Sequence, residues 1–237
     1  MRAIILAGGE GKRLKPYTTV LPKPLMPFGE TPILEIIFKQ LKYYGFHKVT
    51  LALGYKAKYI RTFFANSTDL GLEIEYSYEK QNLGTAGPIR LIKNLDNNFL
   101  VLNGDILTDF NFLKFFKTHL NHDAIATVAV YTKNINIDLG VIETKKDQVI
   151  NYIEKPTASY QVSMGIYAFN NRVVDFIPYN EYLDIPNLIK KLISNGETVK
   201  VHNQAECIWL DIGNITDFQH SLELFKKYKS KFLPRNS

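Results

Sequence analysis

Short apolar runs alternate with amphipathic stretches through the first half of the sequence. The apolar runs are typical of buried strands and lie at residues 3–7, 48–53, 72–77, 99–103 and 124–131. Between the first two, Thr31 can cap a helix that has Pro32 at its first position and that ends at Gly45. Further helices are predicted at 56–64, 88–95 and 109–120, the last with Asp109 as its N-cap.

The second half of the sequence has shorter strands, predicted at 148–153, 163–169, 198–203 and 207–210, with helices at 185–194 and from 214 to about 229. Together the two halves predict an α/β fold: a Rossmann-like, mostly parallel mixed sheet sandwiched by helices, with a small β lobe attached. We expect a single domain over 1–237, of which about 1–135 and about 136–237 form the two halves. Because no hexapeptide array follows, no β-helix tail is expected.

The composition narrows the class of protein. With 237 residues, of which 46% are hydrophobic and 22% are charged, the chain can bury one large core. The single cysteine, Cys207, excludes an intramolecular disulfide, and no apolar run approaches the roughly 20 residues that cross a bilayer. Because Met1 leads into a strand without a signal-peptide pattern, we expect a cytoplasmic protein that does not enter a membrane.

The formal net charge of +6 favours an anionic ligand and also raises nucleic acid as a partner. The densest basic segment, residues 226–231, continues a helical pattern and is interpreted as a solvated helix end. No stacking-aromatic motif accompanies this segment, so nucleic acid is not an expected partner. The five histidines lie outside the motifs described below, and we expect them to be structural or at the surface.

A glycine-rich loop follows the first strand and carries the strongest chemical signal. Its glycines, which let the backbone turn sharply and present N–H groups to phosphate oxygens, are Gly8, Gly9 and Gly11. Arg13 and Lys23, the latter between two prolines, supply positive charge suited to a polyphosphate. A dinucleotide fingerprint would need a third glycine at Leu14, and a P-loop would need Ser or Thr at position 13. The loop therefore favours a nucleoside triphosphate and disfavours a nicotinamide-dependent oxidoreductase.

Two aspartates are candidates for a metal site. Asp105 follows the 99–103 strand, at the edge where open α/β sheets bind ligands, and Asp211 follows a short apolar strand. Mg²⁺ is usually bound by one or two carboxylates together with substrate phosphates and water. The alternatives are a turn-forming Asp105 and an Asp211 that starts a helix. Beside a triphosphate loop, we expect Mg²⁺ on both carboxylates.

Two further short motifs are less specific. In Glu154-Lys155-Pro156, Lys155 is suited to a second phosphate and Glu154 to a sugar hydroxyl, although the same residues form ordinary surface turns. The loop at 83–88, Leu-Gly-Thr-Ala-Gly-Pro, has two glycines that let a flat ring approach the backbone closely.

Taken in order, these motifs resemble those of the sugar-1-phosphate nucleotidylyltransferases. They are Leu-Ala-Gly-Gly-x-Gly-x-Arg-Leu, Pro-Lys-Pro, Leu-Gly-Thr-Ala-Gly-Pro, Asn-Gly-Asp, Glu-Lys-Pro, Gly-Ile-Tyr and Trp-x-Asp-Ile-Gly, and they extend from residue 6 to residue 213. Each is weak alone and specific in combination. The 83–88 loop looks most like that of guanylyltransferases that act on mannose 1-phosphate or heptose 1-phosphate.

The resemblance implies a role for each matching residue. The nucleotide would be bound by Leu6, Ala7, Gly8, Gly9, Gly11, Arg13, Lys23, Gln81, Gly84 and Thr85. The sugar phosphate would be bound in the β lobe by Gly140, Glu154 and Lys155. The residues expected to act in catalysis are Arg13, Lys23, Asp105 and Asp211, and the last two would hold Mg²⁺.

The implied reaction is Mg²⁺-dependent transfer of a nucleotidyl group from a nucleoside triphosphate to a sugar 1-phosphate, with release of pyrophosphate. GTP is favoured, while UTP, dTTP, CTP and the sugar identity stay open. A sugar 1-phosphate is mostly dianionic at neutral pH, so its oxygen can attack without a general base. The expected product feeds cell-surface polysaccharide biosynthesis, and a homo-oligomer stays open. The alternative from another class is a non-catalytic regulator that binds nucleotide sugars.

Overall fold

The computed structural model describes residues 1–65, 70–204, 206–210 and 212–233. Its strands are β1 Arg2–Ala7, β2 Pro27–Phe28, β3 Thr31–Pro32, β4 Lys48–Leu53, β5 Glu73–Tyr78, β6 Asn98–Asn103, β7 Leu107–Thr108, β8 Ala126–Asn136, β9 Val141–Lys145, β10 Gln148–Ile153, β11 Thr157–Asn170, β12 Val199–Asn203 and β13 Trp209–Leu210. Its α-helices are α1 Tyr17–Val20, α2 Ile33–Tyr43, α3 Ala57–Phe64, α4 Phe112–Leu120, α5 Ile185–Ser194, α6 Ile215–Lys227 and α7 Lys229–Phe232.

The central sheet has seven strands in the order β12-β8-β11-β6-β1-β4-β5. β6, β1, β4 and β5 are mutually parallel, β12 is parallel to β8, and β11 is antiparallel to both of its neighbours. The chain therefore fills the β4–β5 side of β1 first and then returns to its other side with β6. This reversal is the switch point at which open α/β sheets form a ligand crevice. The predicted mixed sheet is confirmed.

Alternate residues of the strands enter two apolar layers, one on each face of the sheet. Ile5 of β1 packs in a layer with the apolar faces of α2, α3, α4 and α6, whereas the neighbouring Ile4 faces a layer that contains α5. Both residues are fully buried. The sheet is sandwiched by helices, as the alternation of strands and helices predicts, and no β-helix is found among the described residues.

Three predicted helix-start features are wrong: the Thr31 cap, Pro32 at the first helical position and the Asp109 cap. Thr31 does not cap α2, because it pairs with Phe28 in a two-residue bridge and Pro32 is the N-cap. Asp109 does not cap α4, because its carboxylate accepts a hydrogen bond from the backbone N–H of Ile208 at 2.6 Å. The cap of α4 is Asn111, whose side chain accepts from the N–H of Lys114.

The predicted helix at 88–95 is only a 3-10 turn, Gly87–Leu91. The backbone then extends at Ile92 and becomes left-handed at Asn94, with φ of 51°. The guanidinium of the buried Arg2 donates to the carbonyl oxygens of Lys93 at 3.4 Å and Asn94 at 2.9 Å. These two carbonyl oxygens therefore have hydrogen-bond partners without a helix at 92–95.

In the second half, β11 is much longer than the predicted 163–169 strand. β8 and β11 stay paired from Asn136 and Thr157 inward, and β11 then enters the central sheet beside β6. β9 and β10 form a separate antiparallel pair. The predicted closing helix is broken at Tyr228 into α6 and α7, with Lys226 and Lys227 in the last turn of α6. Within the ranges described, no helix is long and apolar enough to cross a membrane.

Candidate active site

A cleft of about 480 Å³ opens at the carboxyl edge of the parallel strands. The residues directly after β1, β4, β5 and β6 lie along this edge, because those strands run in the same direction and in register. The predicted site residues that line the cleft are Leu6, Ala7, Gly8, Gly9, Gly11, Arg13, Lys23, Gly84, Thr85 and Asp105. The fold therefore brings together parts of the sequence that are about 80 to 100 residues apart, such as Lys23 and Asp105, which are separated by 82 residues.

The glycine-rich loop is shaped by contacts that a side chain would prevent. A Cβ at Gly8 would lie 2.4 Å from Oε1 of Glu79. Gly11 has φ of +61°, and its carbonyl oxygen accepts a hydrogen bond from the hydroxyl of Thr18 at 2.9 Å. Arg13 follows in a 3-10 turn, Lys12–Leu14, and its side chain is exposed. The loop thus lines the cleft together with the exposed side chain of Arg13.

Lys23 and Asp105 form an ion pair inside the cleft. Lys23 starts a 3-10 turn between the buried Pro24 and Pro22, and its ammonium contacts Oδ2 of Asp105. The Lys23 side chain is 12% exposed and that of Asp105 is 35% exposed. Asp105 is held against β1 by the preceding residue, since the N–H of Gly104 donates to the carbonyl oxygen of Leu6 at 2.9 Å. The predicted metal ligand therefore lies beside a predicted phosphate-binding lysine.

The 81–87 loop, predicted to receive the base, is braced by a distant segment. Gly84 has φ of +75°, and a Cβ there would lie 2.5 Å from the carbonyl oxygen of Leu183. That oxygen accepts hydrogen bonds from the N–H groups of Ala86 at 2.9 Å and Gly87 at 3.1 Å. The hydroxyl of Thr85 accepts from the N–H of Ile185, at the start of α5. The loop is fixed against α5 before any ligand binds.

A family model described as Nucleotidyl transferase matches residues 2–228. The chain belongs to the nucleotidyl transferase family. The UTP–glucose-1-phosphate uridylyltransferase of Synechocystis sp. is 30% identical over 257 residues, which cover 99% of this chain and 66% of the relative. The mannose-1-phosphate guanylyltransferase catalytic subunit beta of Drosophila melanogaster is 34% identical over 235 residues, which cover 94% of this chain and 62% of the relative.

The chain thus spans slightly less than two thirds of the length of these relatives. Among solved structures, HddC from Yersinia pseudotuberculosis matches with a TM-score of 0.73 and 24% identity, covering 94% of this chain and 99% of that chain. This likeness concerns the fold.

Glu79 and Tyr182 are among the cleft residues of this nucleotidyl transferase family member that reasoning from the sequence missed. Glu79 directly follows β5, and burial raises the pKa of its carboxyl, while a hydrogen bond from the N–H of Leu83 at 3.0 Å acts in the opposite direction. Its strand-end position, equivalent to that of Asp105, was the available signal. Tyr182 also lines the cleft and is 60% exposed. Nothing in the local sequence marks it, since only the bracing of the 81–87 loop brings it there.

Four predicted residues are not among those that line this cleft. The side chain of Gln81 is exposed and donates to the carbonyl oxygen of Asn180 at 2.9 Å. Gly140 precedes β9 and packs against Tyr152, whose hydroxyl would lie 2.1 Å from an added Cβ. Glu154 and Lys155 are exposed between β10 and β11. The structure thus brings the nucleotide candidates other than Gln81 together with Asp105. The sugar candidates lie on the neighbouring β lobe, which consists of β9, β10 and the outer parts of β8 and β11.

Asp211 lies outside the described residues. On either side of it in sequence, Leu210 of β13 pairs with Leu107 of β7, and Gly213 lines the cleft. In the ranges that the structure describes, no group of three or more His, Cys, Asp or Glu is arranged to hold a metal ion. Of the carboxylates in the described part of the cleft, that of Asp105 is partly exposed beside Gly104 at the end of β6 and is suited to a hard cation.

Proposed function

We propose that this chain transfers a nucleotidyl group from a nucleoside triphosphate to a sugar 1-phosphate, forming a nucleoside diphosphate sugar and pyrophosphate. The observation that carries the proposal is the Lys23–Asp105 ion pair beside a glycine loop that fits a polyphosphate. The names of the two relatives, one a uridylyltransferase and one a guanylyltransferase acting on sugar 1-phosphates, support the same reaction class.

In this reaction a phosphate oxygen of the sugar 1-phosphate forms a bond to the α-phosphorus, and the bond to the bridging oxygen of pyrophosphate breaks. The attacking oxygen is already ionised at neutral pH, so no side chain has to remove a proton. The protein has to position the two substrates in line and offset the accumulating negative charge. Arg13 and Lys23 offset that charge on the side of the departing pyrophosphate, and the loop N–H groups bind the phosphate oxygens.

The residues of the cleft fit a Mg²⁺ ion. Asp105 offers a hard carboxylate at the mouth of the β1–β6 crevice, and substrate phosphates and water would complete the ligand set. Asp105 and Asp211 would hold the ion, which when bound would neutralise phosphate charge. In the free protein the ammonium of Lys23 contacts Asp105, so this lysine compensates the carboxylate before substrate arrives.

For the sugar half of the site, we propose Gly140, Glu154 and Lys155. Glu154 and Lys155 are exposed and free to contact a solvated sugar phosphate, and Lys155 has a left-handed backbone with φ of 45°. The ammonium of Lys155 suits the phosphate, and the carboxylate of Glu154 suits sugar hydroxyls. The product is an activated sugar donor, and we propose cell-surface polysaccharide biosynthesis as its use.

Glu79 favours GTP over UTP and dTTP. An ionised carboxylate is acceptor-only, and guanine presents two adjacent donors, N1–H and the N2 amino group. Uracil and thymine present one donor between two carbonyl acceptors, which a carboxylate would repel. Oε1 of Glu79 lies against Gly8 and Gly54 at the cleft edge, within a loop system that fits a flat ring. The Synechocystis relative, a UTP enzyme by name, keeps UTP as the second candidate.

The test is pyrophosphate release from a matrix of four nucleoside triphosphates and a panel of sugar 1-phosphates, with and without Mg²⁺. We expect release only when both substrates and Mg²⁺ are present, with GTP the best donor. Release with UTP above GTP would overturn the base assignment and leave the reaction class intact. Binding of nucleotide sugars without release from any pair would favour a non-catalytic regulator.

A further inference from the structure

The β lobe carries a cluster of exposed apolar side chains that the central sheet does not cover. Eight large hydrophobic residues, each at least 38% exposed, lie between positions 135 and 160; they are Ile135, Leu139, Ile142, Val149, Ile150, Tyr152, Ile153 and Tyr160. The two apolar layers of the fold contain none of them. A two-stranded pair such as β9–β10 is marginal alone and exposes apolar groups at a cost, so such a patch marks an interaction surface.

β10 is the centre of this patch and has an open edge. Among the described strands it pairs only with β9, and all six of its residues are exposed. Its sequence, Gln-Val-Ile-Asn-Tyr-Ile, contains no charged residue and no proline, the residues that normally protect an edge strand from pairing. Ile150 is an extra residue without a partner on β9, and it is 61% exposed. β10 therefore has the features of a strand that pairs with another chain.

We infer that β10 pairs antiparallel with β10 of a second copy of this chain. The apolar and polar residues of the strand select one register, in which Asn151 lies opposite Asn151 of the second copy and every other contact occurs twice by symmetry. The same register places Val149 opposite Ile153 and Ile150 opposite Tyr152, so apolar side chains meet across the new ladder.

A shift by one residue in either direction is disfavoured, because it places the polar amide of Asn151 opposite Ile150 or opposite Tyr152 and breaks the apolar pairs. The patch as a whole also suits self-association, because residues 132–163 contain four lysines and four acidic residues and have no net charge, whereas the chain carries +6. An acidic partner would gain nothing from this surface, and a second copy meets no net repulsion there.

The first test is oxidative cross-linking of Asn151→Cys, because the proposed register places this position opposite the same position of the second copy. The native Cys207 is buried, and burial raises the pKa of its thiol to about 11, so it does not compete. The control is Val201→Cys, which is 60% exposed on β12, an edge strand of the central sheet. We expect a disulfide-linked dimer from Asn151→Cys only. Equal cross-linking of both variants, or of neither, would overturn the proposal.

The second test is the mass in solution over a concentration series, by sedimentation. We expect a dimer whose dissociation constant rises about 100-fold in Ile150→Lys and is unchanged in Val201→Lys. A monomer at all concentrations, or a dimer that survives Ile150→Lys, would contradict the pairing. Thermal melting of the variants separates these outcomes from misfolding.

Discussion

The ammonium of Lys23 contacts the carboxylate of Asp105 across the crevice between the ends of β1 and β6. The two residues are separated by 82 positions in sequence. Two flanking prolines restrict the backbone at Lys23, and the hydrogen bond from Gly104 to Leu6 fixes the backbone beside Asp105. The pair places a cation and a cation ligand at the same point of the cleft. This arrangement supports the proposed binding of a triphosphate together with Mg²⁺.

Replacing Asp105 by Asn should lower the rate of pyrophosphate release by at least about 100-fold, because the amide is neutral and a poor ligand for Mg²⁺. The melting temperature should change little, since Asp105 is partly exposed. Asp123→Asn is the matched control, because the Asp123 side chain is fully exposed and, among the described residues, contacts only Arg172, at 4.0 Å. Retention of wild-type activity in Asp105→Asn would remove the proposed metal role.

Replacing Lys23 by Met should lower turnover by about 100- to 1,000-fold, since it removes a positive charge proposed to stabilise the departing pyrophosphate. The control is Lys39→Met. Among the described residues, the ammonium of Lys39 forms an ion pair only with Glu35, on the exposed side of α2. The measurement is kcat at saturating triphosphate. If kcat is unaltered, Lys23 has only a structural part between its prolines.

Replacing Glu79 by Gln should reduce the preference for GTP over UTP by about 10- to 100-fold, the range of one charge-assisted hydrogen bond. The amide oxygen of Gln can still accept from the N–H of Leu83, so the loop should keep its shape. The ratio of kcat/KM for the two triphosphates is the readout. An unchanged ratio would show that the base is read elsewhere in the cleft.

Replacing Gly84 by Ala should destabilise the protein by about 1–3 kcal/mol, because Ala is strained at φ of +75° and its Cβ would clash with the Leu183 carbonyl oxygen. Gly9→Ala is the control, since a Cβ there meets nothing within 4 Å. Chemical denaturation measures both. Equal stability of the two variants would mean that the contact between the 81–87 loop and Leu183 is not tight.

Stability should fall in acid because of His119. Its ring nitrogens lie 2.8 Å from the Thr127 hydroxyl and 3.1 Å from Oδ1 of Asn98, and burial, followed by the charge of His122, lowers its pKa to about 4. In the unfolded chain this histidine binds a proton near pH 6.5, whereas in the folded protein it does so only near pH 4. The contribution of His119 to the free energy of unfolding is therefore complete above about pH 6.5 and falls towards pH 4, by up to about 1.4 kcal/mol per pH unit.

The free energy of unfolding, measured by chemical denaturation, should therefore decrease less between pH 7 and pH 4 in His119→Gln than in wild type. The variant His220→Gln, at an exposed position, should follow wild type. His202, whose pKa burial also lowers, adds to the slope in all three proteins. Parallel curves for His119→Gln and wild type would show that His119 is not the responsible group.

Much of the fold follows from local pattern. The predicted strand at 48–53 and the predicted helix at 185–194 coincide with β4 and α5, because an apolar run or an amphipathic period of this length has one way to bury its face. The glycine loop and Asp105 were placed correctly at strand ends for the same reason, since the carboxyl ends of parallel strands share one edge. The sequence thereby determined that a cleft lined by the glycine loop forms at this edge of the sheet, and which residues begin it.

Only the tertiary structure decided what depends on partners far along the chain. Arg2 prevents a helix at 88–95 by binding the carbonyls of Lys93 and Asn94, and Asp109 is drawn away from capping by Ile208. Glu79 enters the cleft because β5 ends in register with β4, and Tyr182 enters it because Leu183 is bonded to the 81–87 loop. Such contacts join residues up to about 100 positions apart, and local propensity carries no information about them.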